Sequence, residues 1–236
     1  MNFQLKNMAL TCAAALFVAA APAAFAEDKS GSNHTQGAQG AQGPVAQLAM
    51  AQNLYSYGME SGNALAVLAA AQITMSIEVE DVERDVENKP TEGAGEVADG
   101  GDGVDSPVTA EMMLASAKEL AAGDPTVMGL IEDAEAEGAR GRIGGPSRTL
   151  SRLRAGRTDV FSVPFYGGSL AELAIVGDGD ADLDLLVTDE NGNVICKDVS
   201  YSDQLYCSFT PRWDGYFLVG VVNQGRVRNS YYLLTN

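Results

Sequence analysis

Between Ala181 and Cys196 the chain alternates. Leu183, Leu185 and Val187 interleave with Asp182, Asp184 and Thr188, and a period of two marks a strand with one buried face. Glu190-Asn191-Gly192-Asn193 follows, and Val194 and Cys196 then restart an inward face. Asn-Gly tolerates positive φ, so the stretch predicts strand, tight turn, strand. A chain carrying this hairpin must supply partner strands and a second layer to cover its leucines.

The sequence from Thr158 onward supplies them. Val160, Ser162 and Phe165 lie in one predicted strand, and Leu170, Leu173, Ile175 and Val176 in the next. After the hairpin come Leu205–Thr210, Tyr216–Asn223 and Ser230–Thr235. The separators are turn clusters such as Gly167-Gly168 and Pro211 to Gly215. Roughly seven short strands with turns near every tenth residue describe an antiparallel β-sandwich.

Five features of residues 157–236 resemble the bacterial pre-peptidase C-terminal (PPC) domain: the opening strand Asp159-Val160-Phe161-Ser162-Val163, the Asp-Leu-Asp-Leu segment within 177–185, the hairpin at Asp189–Asn193, the pair Cys196 and Cys207, and Gly215-Tyr216-Phe217-Leu218-Val219 followed by Tyr231-Tyr232-Leu233. The resemblance implies a jelly-roll-like sandwich that serves secreted proteins, often proteases, as an accessory module. The protease setting does not carry over. The chain has no His-Glu-x-x-His, no Gly-x-Ser-x-Gly, and one histidine, His34, in a polar stretch, so a Ser-His-Asp triad has no base near any nucleophile.

The start reads as a secretory signal over 1–26. Lys6 precedes an apolar run from Met8 to Ala21, and Ala24-Phe25-Ala26 is a small-x-small site, so cleavage is expected between Ala26 and Glu27. The mature chain is then periplasmic or secreted, with no stretch long enough to re-enter a membrane. Cleavage removes Cys12 and leaves Cys196 and Cys207, an even pair in an oxidising compartment, which reads as a disulfide. Two thiols alone do not make a metal site, and no Cys-x-x-Cys is present.

Residues 27–43, with Gly37-Ala38-Gln39-Gly40-Ala41-Gln42-Gly43, read as a flexible linker. Residues 44–138 read as helical. One hairpin starts at Pro44, breaks at Gly58–Gly62, restarts on Asn63 as N-cap and runs to about Val86. The alternation of Ile73 to Glu80 offers a strand instead, and the helix is preferred because the run leaves an Ala-rich segment. An acidic, Gly-rich loop covers 88–105. A second hairpin is capped by Ser106-Pro107, turns at Gly123 and restarts at Asp124-Pro125. The two hairpins form a small bundle or a degenerate helical repeat of the tetratricopeptide sort. The fold class is therefore α+β, helical hairpins followed by a sandwich. Residues 139–156, which hold Arg140, Arg142, Arg148, Arg152 and Arg154, read as an interdomain linker that contacts acidic surface.

The formal charge of −17, from 15 basic and 32 acidic residues, argues against nucleic acid and anionic lipid as partners. The six arginines from Arg140 to Arg157 lack an aromatic platform between them. Asp178, Asp180, Asp182 and Asp184 are the one constellation with ligand chemistry. Carboxylates at alternate positions suit calcium, yet Leu183 stands where an EF-hand loop needs glycine. The preferred reading has these aspartates making the turn and facing solvent or loop amides. Gly100-Gly101-Asp102-Gly103-Val104-Asp105 matches one calcium-binding nonapeptide, a motif that works in tandem copies. Tyr201, Tyr206, Trp213, Tyr216, Tyr231 and Tyr232 offer aromatic surface or, more economically, sandwich packing. No motif carries catalysis or a cofactor. The expectation is an exported, non-enzymatic protein that binds a protein or glycan partner, with helices and sandwich as two surfaces. A calcium-dependent carbohydrate- or matrix-binding module is the alternative.

Overall fold

The hairpin forms where the alternation puts it. In this computed structural model, which describes residues 29–35, 43–92, 103–137 and 145–236, β6 (Leu183–Thr188) pairs antiparallel with β7 (Val194–Asp198). Leu183, Leu185 and Val187 are fully buried. The turn is wider than Asn-Gly alone. Only Gly192 has positive φ, at 80°, and the Asp189 carboxylate accepts from the backbone N–H groups of Asn191 and Asn193, so a side chain closes the loop in place of a two-residue turn.

Three pairs of elements come before β3 in the chain: α1 (Pro44–Ser61) and α2 (Ala64–Met75), then β1 (Glu80–Asp81) and β2 (Val86–Pro90), then α3 (Ala110–Ala121) and α4 (Pro125–Glu137). The remaining strands are β3 (Ser147–Leu153), β4 (Arg157–Phe165), β5 (Ala171–Val176), β8 (Gln204–Phe209), β9 (Gly215–Asn223) and β10 (Asn229–Thr235). One sheet has the order β1-β3-β10-β5-β8, the other β2-β4-β9-β6-β7. All pairings are antiparallel except β1 with β3. The fold is the expected α+β arrangement, helical hairpins and an antiparallel sandwich.

The inner faces meet around Phe161, Phe165, Phe209, Phe217, Leu173, Leu205 and Leu233. Phe209 and Phe217 stand 4.8 Å apart and Phe165 packs on both. Burying one such ring stabilises the fold by about 1.5–3 kcal/mol. Cys196 of β7 and Cys207 of β8 form a disulfide with Cα atoms 6.2 Å apart. Since β7 and β8 are edge strands of opposite sheets, the bond closes one side of the sandwich.

The opposite side is closed by a segment expected to be helix and loop. The chain leaves α2 at Met75, crosses the edge, and adds β1 to one sheet and β2 to the other. The alternation of Ile73 to Glu80 thus announced a departure from helix, because Ile77 and Val79 pack on the sheet. The acidic loop likewise begins inside β2, since Asn88, Lys89 and Pro90 pair with β4.

The 139–156 linker is corrected in the same way. Ser147–Leu153 is β3, paired along its whole length with β10. Its inward positions are Thr149, Ser151 and Leu153, and two hydroxyls in place of aliphatics hid the strand period. Both are satisfied inside: Thr149 Oγ1 donates to the Val82 carbonyl and Ser151 Oγ to Asp159.

Helices and sandwich are not separated. Val45 and Leu48 of α1 pack on Ala174, Val176 and Leu234, the outer face of one sheet, so all six residues of β5 are buried. The Gly43 N–H at the start of α1 donates to the buried Glu172 carboxylate at 2.9 Å, placing negative charge at a helix N-terminus. Tyr206 donates to the same oxygen at 2.7 Å; burial first, then Glu172, pushes its phenol up to about 12. Gly58 does not break α1, which continues to Ser61 and ends on Gly62 in the left-handed region at φ 63°. Asn63 and Asp124 cap α2 and α4 as expected, while α3 starts late, with Thr109 as its cap, not Ser106.

Candidate functional site

Along β10, Tyr231 and Leu233 point into the sandwich while Tyr232 and Leu234 face outward. Helix α1 covers Leu234. Toward β3 the helices lift off the sheet and leave a cleft of about 380 Å³. Leu48, Met75, Ile77, Val79, Val108, Val176, Tyr232 and Leu234 make it mainly apolar, and Gln52, Thr74, Glu78, Thr109, Glu111 and Arg148 bring polar groups. Gln52 Nε2 is held by the Val108 carbonyl at 3.3 Å.

Arg148 forms the charged corner. Its guanidinium lies 4.5 Å from the Tyr232 ring centroid. It donates from Nε and Nη2 to both oxygens of Asp81, at 2.7 and 2.9 Å. The hydrogen bond from Arg148 holds the Asp81 carboxyl below its usual value and raises the arginine in turn. Asp81 is mostly exposed, so the pair contributes orientation more than stability. Glu111, in the first turn of α3, is lowered by its own backbone N–H, then by Thr109, and also by the charge of Arg148. Beyond Arg148 and Tyr232 a second, more polar hollow of about 690 Å³ opens, lined by Glu83, Arg84, Thr149 and Leu150 among others.

The four aspartates weighed as calcium ligands, and preferred as turn-formers, go to separate partners. Asp178 accepts from the Ser230 and Asp180 N–H groups, Asp180 from Val104, Asp182 from Ser202, and Asp184 from the Gln224 side chain. Burial pushes the Asp178 carboxyl up, against its two N–H donors and with help from Asp180 and Asp203. Among the described residues no group of three or more His, Cys, Asp or Glu side chains is placed to hold a metal ion. These carboxylates tie the β5–β6 connection and the start of β6 to neighbouring segments. Of the nonapeptide-like stretch, 100–102 lie outside the described residues. Its remainder packs against Arg228, whose Nη2 donates to the Gly103 carbonyl at 2.8 Å.

The aromatic candidates scatter. Tyr231 is buried and Trp213 nearly so, with Nε1 donating to Glu190 at 2.5 Å. Tyr201 is 98% exposed and Tyr216 lies on the other sheet's outer face. Only Tyr232 enters the cleft. Arg148 and Tyr232 carried a sequence signal as a basic residue and a strand aromatic; their meeting depends on the register Tyr232 opposite Leu150. Arg84 carried none.

Residues 29–35, read as flexible linker, instead form a strap over the hairpin turn. Asn33 is fully buried: its N–H donates to Asp189 Oδ2 at 2.7 Å, and its Oδ1 accepts from the N–H groups of Arg212 and Trp213. Asn191 and Asn193 donate to the Gly31 carbonyl, both at 3.0 Å. Burial works against the Asp189 charge, but N–H donors from Asn33, Asn193 and Asn191 outweigh it and hold the carboxyl below its usual value. His34 accepts or donates a 2.7 Å bond with Ser32. The signal segment with its Ala26/Glu27 site, and residues 36–42 of the linker, lie outside the described residues.

No protein-family model and no curated protein matches the chain. Among solved structures it is similar to the pre-peptidase C-terminal domain of collagenase from Bacillus anthracis, at 7% identity and a TM-score of 0.28. That match covers 68% of this chain and 96% of the other. No helix among the described residues is long and apolar enough to cross a membrane.

Proposed function

We propose that this chain is an exported, non-enzymatic binding protein whose partner inserts an apolar group into the cleft between α1–α3 and the sandwich. The carrying observation is the cleft itself: about 380 Å³ walled mainly by aliphatic side chains, with Arg148, Glu78 and Glu111 as its charged groups. Such a space fits a large apolar side chain, and ligand sites favour apolar walls with few placed polar groups. The aliphatic side chains of the lining favour a protein partner that can insert an apolar side chain. The sandwich is read as a PPC-like accessory module on the Asp-Leu-Asp-Leu segment and the Gly-Tyr strand. Export is read from the first 26 residues.

The test is a cleft-filling variant, Val79→Trp, compared with wild type for capture of peptides from a hydrophobic-anchor library. Wild type should retain peptides with a central aromatic or leucine, and the variant should lose them. Equal retention by both proteins, or none by either, would sink the reading.

A further inference from the structure

Arg84 lies in the crossover between β1 and β2, and its guanidinium turns onto the sandwich edge that this crossover closes. Nη1 donates to the Thr149 hydroxyl, and Nη2 donates to Ser147 Oγ at 2.6 Å and Thr235 Oγ1 at 2.8 Å. All three partners are neutral. The hydroxyl protons point away: Thr149 Oγ1 donates to the Val82 carbonyl and Ser147 Oγ to the Thr235 carbonyl. The oxygens therefore fix the guanidinium without cancelling its charge.

No carboxylate among the described residues bonds Arg84. Asp81 and Glu83 line the same hollow, but both Asp81 oxygens are taken by Arg148. Burial lowers the arginine's hold on its proton and no acid offsets it. Nε–H and the second Nη1–H have no acceptor among the described residues. In a chain of charge −17, a half-buried, uncompensated guanidinium facing a hollow of about 690 Å³ is out of keeping with its surroundings.

We propose that Arg84 is the receptor for one oxyanion, a carboxylate or a phosphate group, brought into this hollow. The guanidinium is locked through Nη1 and Nη2, and its Nε–H remains to donate to one oxygen of such a group. Arg148 adds positive charge from across the hollow while staying on Asp81. This site stands independently of the cleft, which lies on the other side of the Arg148–Tyr232 wall.

The experiment is NMR of ¹⁵N-labelled full-length protein, following arginine Nε–H signals. Sodium phosphate or sodium acetate is added in separate arms, with ionic strength held by sodium chloride. One Nε–H signal, assigned by its absence in Arg84→Lys, should shift saturably. Followed by the backbone amides of Glu83 and Thr149, Arg84→Lys, which keeps charge but loses the Nε–H donor, should bind about tenfold more weakly, and Arg152→Lys should bind as wild type. Saturation by phosphate alone, acetate alone or both supports the site and identifies the group. No saturation in either arm, an equal shift of all arginines, or unchanged affinity in Arg84→Lys overturns it. If Arg84→Lys does not fold, the backbone amides of Glu83 and Thr149 in wild type decide by the same criterion.

Discussion

Across the interior of the sandwich the Tyr231 hydroxyl donates to Asp159 Oδ2 at 2.8 Å, joining β10 of one sheet to β4 of the other. Ser151 Oγ donates to the same oxygen at 2.7 Å and Asn88 Nδ2 to Oδ1 at 2.6 Å. One buried carboxylate thus gathers β2, β3, β4 and β10. Burial first, then the Asp159 charge, pushes the Tyr231 phenol well above its ordinary range.

Tyr231→Phe removes one donor from a carboxylate with little access to water. The expected loss is about 1–3 kcal/mol in urea unfolding. Asp159→Ala should cost more, since three donors lose their acceptor. An unchanged midpoint for Tyr231→Phe would show that water replaces the hydroxyl.

Reduction of Cys196–Cys207 should lower stability without abolishing the fold. The cysteines are 11 residues apart, and closing so short a loop is worth about 2–3 kcal/mol by chain entropy. The remaining core is untouched. The check is the melting temperature with and without dithiothreitol, alongside mass spectrometry of the alkylated protein. Free thiols in native protein would contradict the bond.

Asn33→Ala should release the strap. The substitution leaves the N–H groups of Arg212 and Trp213 without their acceptor, at about 1–3 kcal/mol each. Limited proteolysis should then cut near residues 29–35 while the sandwich resists. Acid should act on the same clamp. The folded Asp189 carboxyl is depressed, so its contribution is full above the unfolded value of about 3.9 and is lost as pH falls through the lower folded value. Strap protection should therefore persist at pH 5 and fade only below about pH 4. Protection that fades with a midpoint above pH 5 would assign it to another group.

Gly58→Ala should destabilise the helical layer although alanine is the better helix former. A Cβ there would stand 2.6 Å from Val67 Cγ2 and 3.0 Å from the Val67 backbone nitrogen. Overpacking of about 1–3 kcal/mol exceeds the roughly 1 kcal/mol gained in propensity. A raised melting temperature would mean that α1 and α2 can move apart freely.

The sequence by itself determined the hairpin, the β-sandwich, the four helices and the caps at Asn63 and Asp124. These rest on local rules: period two, period 3.6, and side chains that bond their own backbone. It also named Arg148 and Tyr232, though in separate roles. Only the tertiary structure decided where β1, β2 and β3 belong. Their inward or paired positions are hydroxyls, acids and Asn88, whose partners are remote in sequence, so no apolar alternation marks them. The aspartates of 178–184 looked like one site because they are adjacent in sequence, and the structure sends them to different partners. The cleft beside Arg148 exists because α1 docks on Ala174, Val176 and Leu234, a contact between residues more than 100 positions apart, which no local pattern encodes.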